Sequence, residues 1–276
     1  MMRRLQLGGA IIGALLLWGT AAAAPPPAPA VVPLRVCADP DYMPYSNRAG
    51  DGFENHIAQV IGASLGRPVV YVWKSIRGED GFTEMVHLYI NKGRCDLVVD
   101  VPYTIADLQT TRPYYISSYV FVYKKGSRAG GITSLDSPEL HQVKIGYEAD
   151  TPVEIGLKLR ALTIGAKPFM TADEEDASPQ AIVDAVQAGT INVGLTWDPA
   201  VGYFVGQHPD LTAVIIPNAR SQGSPEQYTF PMAMATRSGN DALVTQLNRV
   251  LVQQQSKIDQ ILNAYHITYF KPNGNG

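Results

Sequence analysis

One unit recurs along this chain and constrains its fold more than anything else. A short β-rich run ends in a turn, a helix starts there, and the chain crosses back to another run. One copy opens at Leu34-Arg35-Val36-Cys37-Ala38 and another at Val143-Lys144-Ile145-Gly146-Tyr147. The connections are long enough for helical crossovers, which parallel strands require. The pattern predicts two α/β lobes with a cleft between them, and clefts beyond strand C-terminal ends are where small molecules bind. A length of 276 residues accommodates two medium domains, and 46% hydrophobic residues supply their cores. The charged fraction of 17% carries no basic stripe to neutralise phosphates, so nucleic-acid binding is excluded.

Residues 1–24 read as a signal peptide. Arg3 and Arg4 form a basic start, an apolar run extends from Gly8 to Trp18, and Ala21 to Ala24 supply small residues for cleavage. Pro25 fits badly after a scissile bond, so cleavage is expected just before Ala24. The competing reading is a membrane anchor, but the apolar run falls short of the ~20 residues of a span. A twin-arginine address is a further, weaker reading of the same pair. Loss of both arginines takes the net charge from -3 to about -5. Residues 25–33, rich in Pro and Ala, form a stiff leader with no core of its own.

Cys37 and Cys95 each abut an expected strand, Leu34–Ala38 and Leu97–Val101. Export favours a disulfide between them. The other reading is two buried thiols behaving as small hydrophobes. No Cys-x-x-Cys occurs and the five histidines are scattered, so neither a metal nor a cofactor is expected.

Helical spacing of Phe53, Ile57, Val60, Ile61 and Leu65 predicts a helix stopped by Gly66-Arg67-Pro68, and Val69–Trp73 is the next strand. Phe82 to Ile90 reads as another helix and Ser118–Tyr123 as an extended run. In the second lobe, Thr151-Pro152-Val153-Glu154 reads as a capping box opening a helix to about Leu162. Ser178-Pro179 and Asp198-Pro199 open two more, around a strand at Ile191–Leu195. Val214–Ile216 and Phe230–Ala235 are extended. A long amphipathic helix then carries Leu243, Leu247, Val250, Leu251, Ile258, Ile261 and Leu262 on one face. This tail is expected to return to the first lobe, giving lobe 1 as 34–123 with 231–276, lobe 2 as 124–230, and a hinge of two crossing segments.

Several runs carry a resemblance: Leu34-Arg-Val-Cys-Ala-Asp-Pro, Gly52-Phe-Glu-Asn, Arg94-Cys-Asp-Leu-Val-Val, Thr110-Thr-Arg-Pro-Tyr-Tyr and Tyr119-Val-Phe-Val-Tyr. The chain resembles the periplasmic solute-binding proteins of the amino-acid (family 3) type, and within them the quinoprotein-dehydrogenase-associated, MxaJ/XoxJ-like branch. The first-strand cysteine and the Arg-Cys-Asp run point to that branch. The resemblance covers roughly Leu34 to Pro272. It implies a type II two-lobe binding-protein fold, a periplasmic location, and association with a PQQ-dependent (methanol or other alcohol) dehydrogenase or its cytochrome.

Amino-acid binders of this type present an arginine to the ligand carboxylate, since a planar guanidinium donates two parallel bonds. Counting along Tyr103 to Gln109 places Gln109 at that position, with Arg112 displaced nearby. Arg112 is either a displaced clamp or a structural residue stacking on its aromatic neighbours. The expected ligand-binding residues lie just past strand ends: Asp39, Tyr42, Tyr45, Trp73, Tyr103, Thr104 and Arg112 from the first lobe, Tyr147, Thr151, Trp197 and Asp198 from the second. Tyr and Trp suit a cleft because each joins an apolar face to a polar handle, and each is equally able to serve as core. Glu54 is read as serving its helix start. Three functions compete: a non-catalytic accessory to the dehydrogenase, its maturation included; the substrate-binding component of an ABC uptake transporter for a small non-standard solute; and a secreted dehydratase-like enzyme. No nucleophile elbow, zinc-protease motif or Walker loop supports the last.

Overall fold

The computed structural model describes residues 31–78, 80–171, 177–221 and 223–272. The expected signal peptide and most of the leader lie outside them. The elements in order are β1 (Leu34–Ala38), β2 (Asp41–Tyr42), β3 (Ser46–Asn47), α1 (Phe53–Leu65), β4 (Val69–Trp73), α2 (Gly81–Glu84) and β5 (Val98–Pro102). Then follow β6 (Leu108–Thr110), β7 (Tyr115–Lys124), β8 (Ile145–Glu148), α3 (Pro152–Leu159), β9 (Lys167–Phe169), α4 (Gln180–Gln187) and β10 (Val193–Trp197). The chain closes with α5 (Asp198–Gly206), β11 (Leu211–Ile215), β12 (Ala219–Ser221), β13 (Ser224–Glu226), β14 (Thr229–Arg237) and α6 (Asp241–Ala264).

The fold is a two-lobe α/β architecture of the periplasmic-binding-protein type. Strand β7 shows how one sheet serves both lobes. Its Tyr115–Ser118 end pairs antiparallel with β14, while Tyr119–Lys124 lies between β10 and β11. A strand buried on both faces reads as a continuous apolar run, and its side chains alternate. Tyr119, Phe121 and Tyr123 enter one second-lobe core with Val153, Leu157 and Leu195, and Val120 and Val122 enter another with α4 and α5.

The first lobe is built on β1, parallel to β4, with Val36 bridged to Leu97 beside β5. Asn55 accepts from the Gly52 and Asn47 amides at the start of α1, and Gly66 ends it in the left-handed region at φ 64°. Helix α6 lays Leu243, Leu247, Val250, Leu251, Ile258 and Leu262 against Phe53, Ile57 and Ile61 of α1. Each such side chain removed from water contributes about 2 kcal/mol. Cys37 and Cys95 form a disulfide with a Cα separation of 5.6 Å, within a cluster that includes Met85 and Ile90.

Three local readings are corrected. The expected helix through Ile90 becomes a π-helical turn over Met85–Ile90. The Thr151 capping box does not form: the Thr151 hydroxyl donates to the Glu148 carbonyl, and Glu154 accepts from the Asp150 amide instead. Helix α3 ends at Leu159, short of Leu162, because Ala161 takes a positive φ of 53°.

Candidate functional site

The first lobe holds a chamber beyond the ends of β1 and β5. Its walls include Ala38, Asp39, Tyr42, Tyr45, Glu54, Phe82, Met85 and Asp100. Its volume is about 30 Å³. That admits one or two waters and is about tenfold below the ~300 Å³ of a drug-sized pocket. Tyr42 and Tyr45 stack as a roof, with ring centroids 5.1 Å apart and planes within 5°. The π-helical turn brings Met85 to the opposite wall.

Among the described residues, three carboxylates share this wall and no lysine or arginine lines it. Asp39 is fully engaged: Oδ1 accepts from the Asp41 amide, Oδ2 from Ser75 Oγ and the Ile76 amide. It shapes the turns that follow β1 and β4. Asp100 accepts from Tyr114 at 3.0 Å and Tyr115 at 2.9 Å, yet withdrawal from water pushes its carboxyl up to about 7. Glu54 is raised well above the ordinary range, by burial first and then by the charges of Asp100 and Asp39. Burial first, and then Tyr42, Asp100, Glu148 of the second lobe and Glu54, also raise the Tyr45 hydroxyl.

The second lobe answers with Glu148 at the end of β8. Its Oε1 accepts from Thr171 Oγ1 at 2.7 Å, and Oε2 from Thr196 Oγ1 at 2.9 Å and the Trp197 amide at 2.8 Å. The Thr171 carbonyl in turn accepts from Tyr42 of the first lobe at 3.0 Å. Met43, Tyr45, Trp197 and Tyr203 pack against both the first-lobe core and the core around α4 and α5. Aromatic and hydrogen-bonded contacts thus fill the space where the lobes face each other.

The structure brings Asp39, Tyr42 and Tyr45 to the chamber and Trp197 to the facing wall, where Trp197 meets Tyr119 at 5.1 Å. Thr151 lies beside them, held by Glu148. Tyr147 is buried in the second-lobe core. The remaining residues sit elsewhere. Trp73 stacks on Tyr71 under the Arg48 guanidinium. Tyr103 and Thr104 are exposed, Thr104 at φ 63°. The Arg112 amide donates to Asn248 of α6. Asp198 is fully buried and accepts from the Thr268 amide, on the tail beyond α6.

Gln109 does not face the chamber either. It lies on β6, paired to β14, and donates to Asp241 at the start of α6. Sequence reasoning missed Glu148, whose one signal is its place at the end of a strand, directly after Tyr147. It preferred a helix-start role for Glu54 over a ligand role, and Glu54 also walls the chamber.

No family model matches the chain. Protein MoxJ of Methylorubrum extorquens is 28% identical over 246 residues, covering 83% of this chain and 79% of that one. The crystal structure of MxaJ from Methlophaga aminisulfidivorans superposes with a TM-score of 0.76 at 26% identity, covering 86% of this chain and all of that one. The chain is MxaJ/XoxJ-like. The periplasmic binding protein XoxJ from Methylobacterium extorquens follows at TM-score 0.68 and 27% identity, over 87% and 100% of the two chains. An ancestral cationic amino-acid solute-binding protein, at 21% identity and TM-score 0.65, shares the fold. Among the described residues, this MxaJ/XoxJ-like chain has no helix long and apolar enough to cross a membrane and no cluster of metal-ligating side chains.

Proposed function

We propose that this protein is a non-catalytic periplasmic accessory of a PQQ-dependent alcohol dehydrogenase system, acting on the enzyme or its cytochrome during assembly. The observation that carries this reading is the chamber. A cavity of about 30 Å³ lined by Asp39, Glu54 and Asp100, with no lysine or arginine among its described walls, offers no cation to the carboxylate of an amino acid and no room for its side chain. A binding-protein scaffold with its solute site so reduced is free to use its surface for another protein. The likeness to MoxJ, MxaJ and XoxJ supports a component of the dehydrogenase system as that protein. Lobe 1 is taken as 34–123 with 231–276 and lobe 2 as 124–230, with the Tyr119–Tyr123 end of β7 reaching from lobe 1 into the sheet of lobe 2.

The test is deletion of the gene, with affinity capture of the mature protein from periplasm. Lower dehydrogenase activity in extracts, unchanged solute uptake and co-purification of a dehydrogenase component are expected. Normal enzyme maturation together with loss of uptake of one compound makes the protein an uptake receptor instead. Calorimetry with the twenty amino acids should show no submicromolar binding. Turnover of any prephenate-like acid would establish the dehydratase reading.

A further inference from the structure

We propose that the segment after α6, residues 265–270, is a strap that fastens the second lobe to the first and suppresses the opening and closing on which a transport receptor depends. Two covalent crossings, β7 and β14, join the lobes. The strap supplies a third, non-covalent connection.

It begins on the first lobe, where α6 packs on α1 and Ile267 is buried in their common core. It crosses to α5 of the second lobe at two glycines. Gly202 and Gly206 are four residues apart and so share one helix face. A Cβ on Gly202 would stand 2.8 Å from the His266 carbonyl oxygen, and one on Gly206 would stand 2.1 Å from the His266 ring. Only a bare backbone admits the tail this closely. His266 holds a left-handed φ of 56°, which a non-glycine residue keeps when its surroundings fix it. Tyr203 of α5 meets Tyr265 at 5.7 Å between ring centroids.

Two polar ties complete the attachment. The Thr268 amide donates to Asp198 Oδ2 at 2.6 Å in the first turn of α5. Asp198 is fully buried, and Thr268 on the strap supplies its donors. Phe270 and Ile116 then exchange reciprocal backbone bonds of 2.9 Å on β7, beside the crossing between lobes. Swinging the lobes apart draws α5 away from the end of α6, strips Asp198 of its donor and empties the glycine face. Each of these costs free energy that a simple two-strand hinge does not incur.

The test uses the full mature protein with spin labels on exposed helix positions of the two lobes, at Gln59→Cys in α1 and Asp184→Cys in α4. The parent should give one narrow distance distribution. Gly202→Val, which wedges the strap off α5, and Thr268→Pro, which removes the donor to Asp198, should each broaden it and shift it by several ångström toward longer distances. Far-ultraviolet circular dichroism identifies folded variants, and a folded variant that keeps the parent distribution overturns the proposal. Hydrogen exchange on the unsubstituted protein decides independently of either variant. Protection of the Thr268 and Phe270 amides equal to that of β7 is expected, and exchange at the rate of an exposed loop overturns the strap. Neither outcome depends on which partner the protein serves, so the accessory reading can fail while the strap stands.

Discussion

The two lobes both bring carboxylates to the ends of their central strands and treat them in opposite ways. In the second lobe Glu148 receives three donors, from Thr171, Thr196 and the Trp197 amide. In the first, Asp100 receives two tyrosyl hydroxyls, and the Glu54 carboxyl is buried beside the charges of Asp100 and Asp39. A carboxylate with its oxygens occupied organises the loops that supply the donors. Carboxyls crowded without a cation hold protons instead. The second lobe therefore offers a fixed wall, and the first a proton-loaded chamber whose shape depends on a covalent staple.

That contrast sets the order of expected effects. Replacing Cys37 and Cys95 together by alanine removes a link spanning 58 residues of the first lobe. Closure of a loop of that size is worth about 4 kcal/mol. Denaturant unfolding of the double variant should show a loss of that order, confined to the first lobe's unfolding when the lobes are followed separately by hydrogen exchange. A loss spread evenly over both lobes would break the comparison.

Glu148→Ala should cost about 3 kcal/mol, because it leaves several donors in a dry interior without an acceptor. Glu148→Gln keeps one acceptor and should cost less. Calorimetry checks both. Equal costs would mean that bulk at this position matters and the hydrogen-bond hub does not.

The chamber predicts a pH dependence of definite sign. Asp100 titrates near 7 in the native protein and near 3.8 when unfolded. Between those values the native state holds a proton that the unfolded state has released, so stability falls as pH rises through the window. The slope is about 1 kcal/mol per pH unit for one such group. Asp39, Glu54, Tyr45, Tyr114 and Tyr115 face it, and raised Glu54 acts in the same direction. Buried Asp198, also pushed up to about 7, adds a second contribution at the strap. Asp100→Asn should flatten the profile between pH 4 and 7 by its share and leave the Asp198 share in place. An unchanged profile would remove the proton-loaded reading of the first lobe.

Much of the architecture was legible because it rests on local pattern. The bounds of β4 follow from its valine- and aromatic-rich run, those of β1 from the short apolar run around Val36, and the buried face of α6 from its leucine, valine and isoleucine spacing. The site was legible only in part. Tyr42, Tyr45 and Trp197 follow from their places after strands. Glu148 gains its role from donors 23 to 49 residues away, which no local pattern announces. Gln109 was placed by counting from a motif, and the pairing of β6 with β14 then carried it to α6. Asp198 follows its strand as expected, yet the tail beyond α6 occupies its carboxylate. Where a residue's role depends on the return of a distant segment, the sequence carries the residue and not the role.

The smallest expected effect tests the hydrogen bond that Tyr42 of the roof donates to the facing lobe. Tyr42→Phe keeps the stack on Tyr45 and removes only the hydroxyl that donates to the Thr171 carbonyl. A neutral hydrogen bond of this kind is worth about 1 kcal/mol, and the freed carbonyl lies where water can reach part of its surface once the roof loosens. Global stability should therefore drop by about 1 kcal/mol or less. The sharper readout is local. Trp197 lies on the facing wall with Tyr119 and Phe230, and its fluorescence reports whether that wall becomes wet. If the strap holds the lobes, Tyr42→Phe alone should leave Trp197 shielded from iodide quenching, and quenching should appear only when Tyr42→Phe is combined with Thr268→Pro. Quenching in the single variant would instead make the Tyr42–Thr171 bond the principal tie between the lobes.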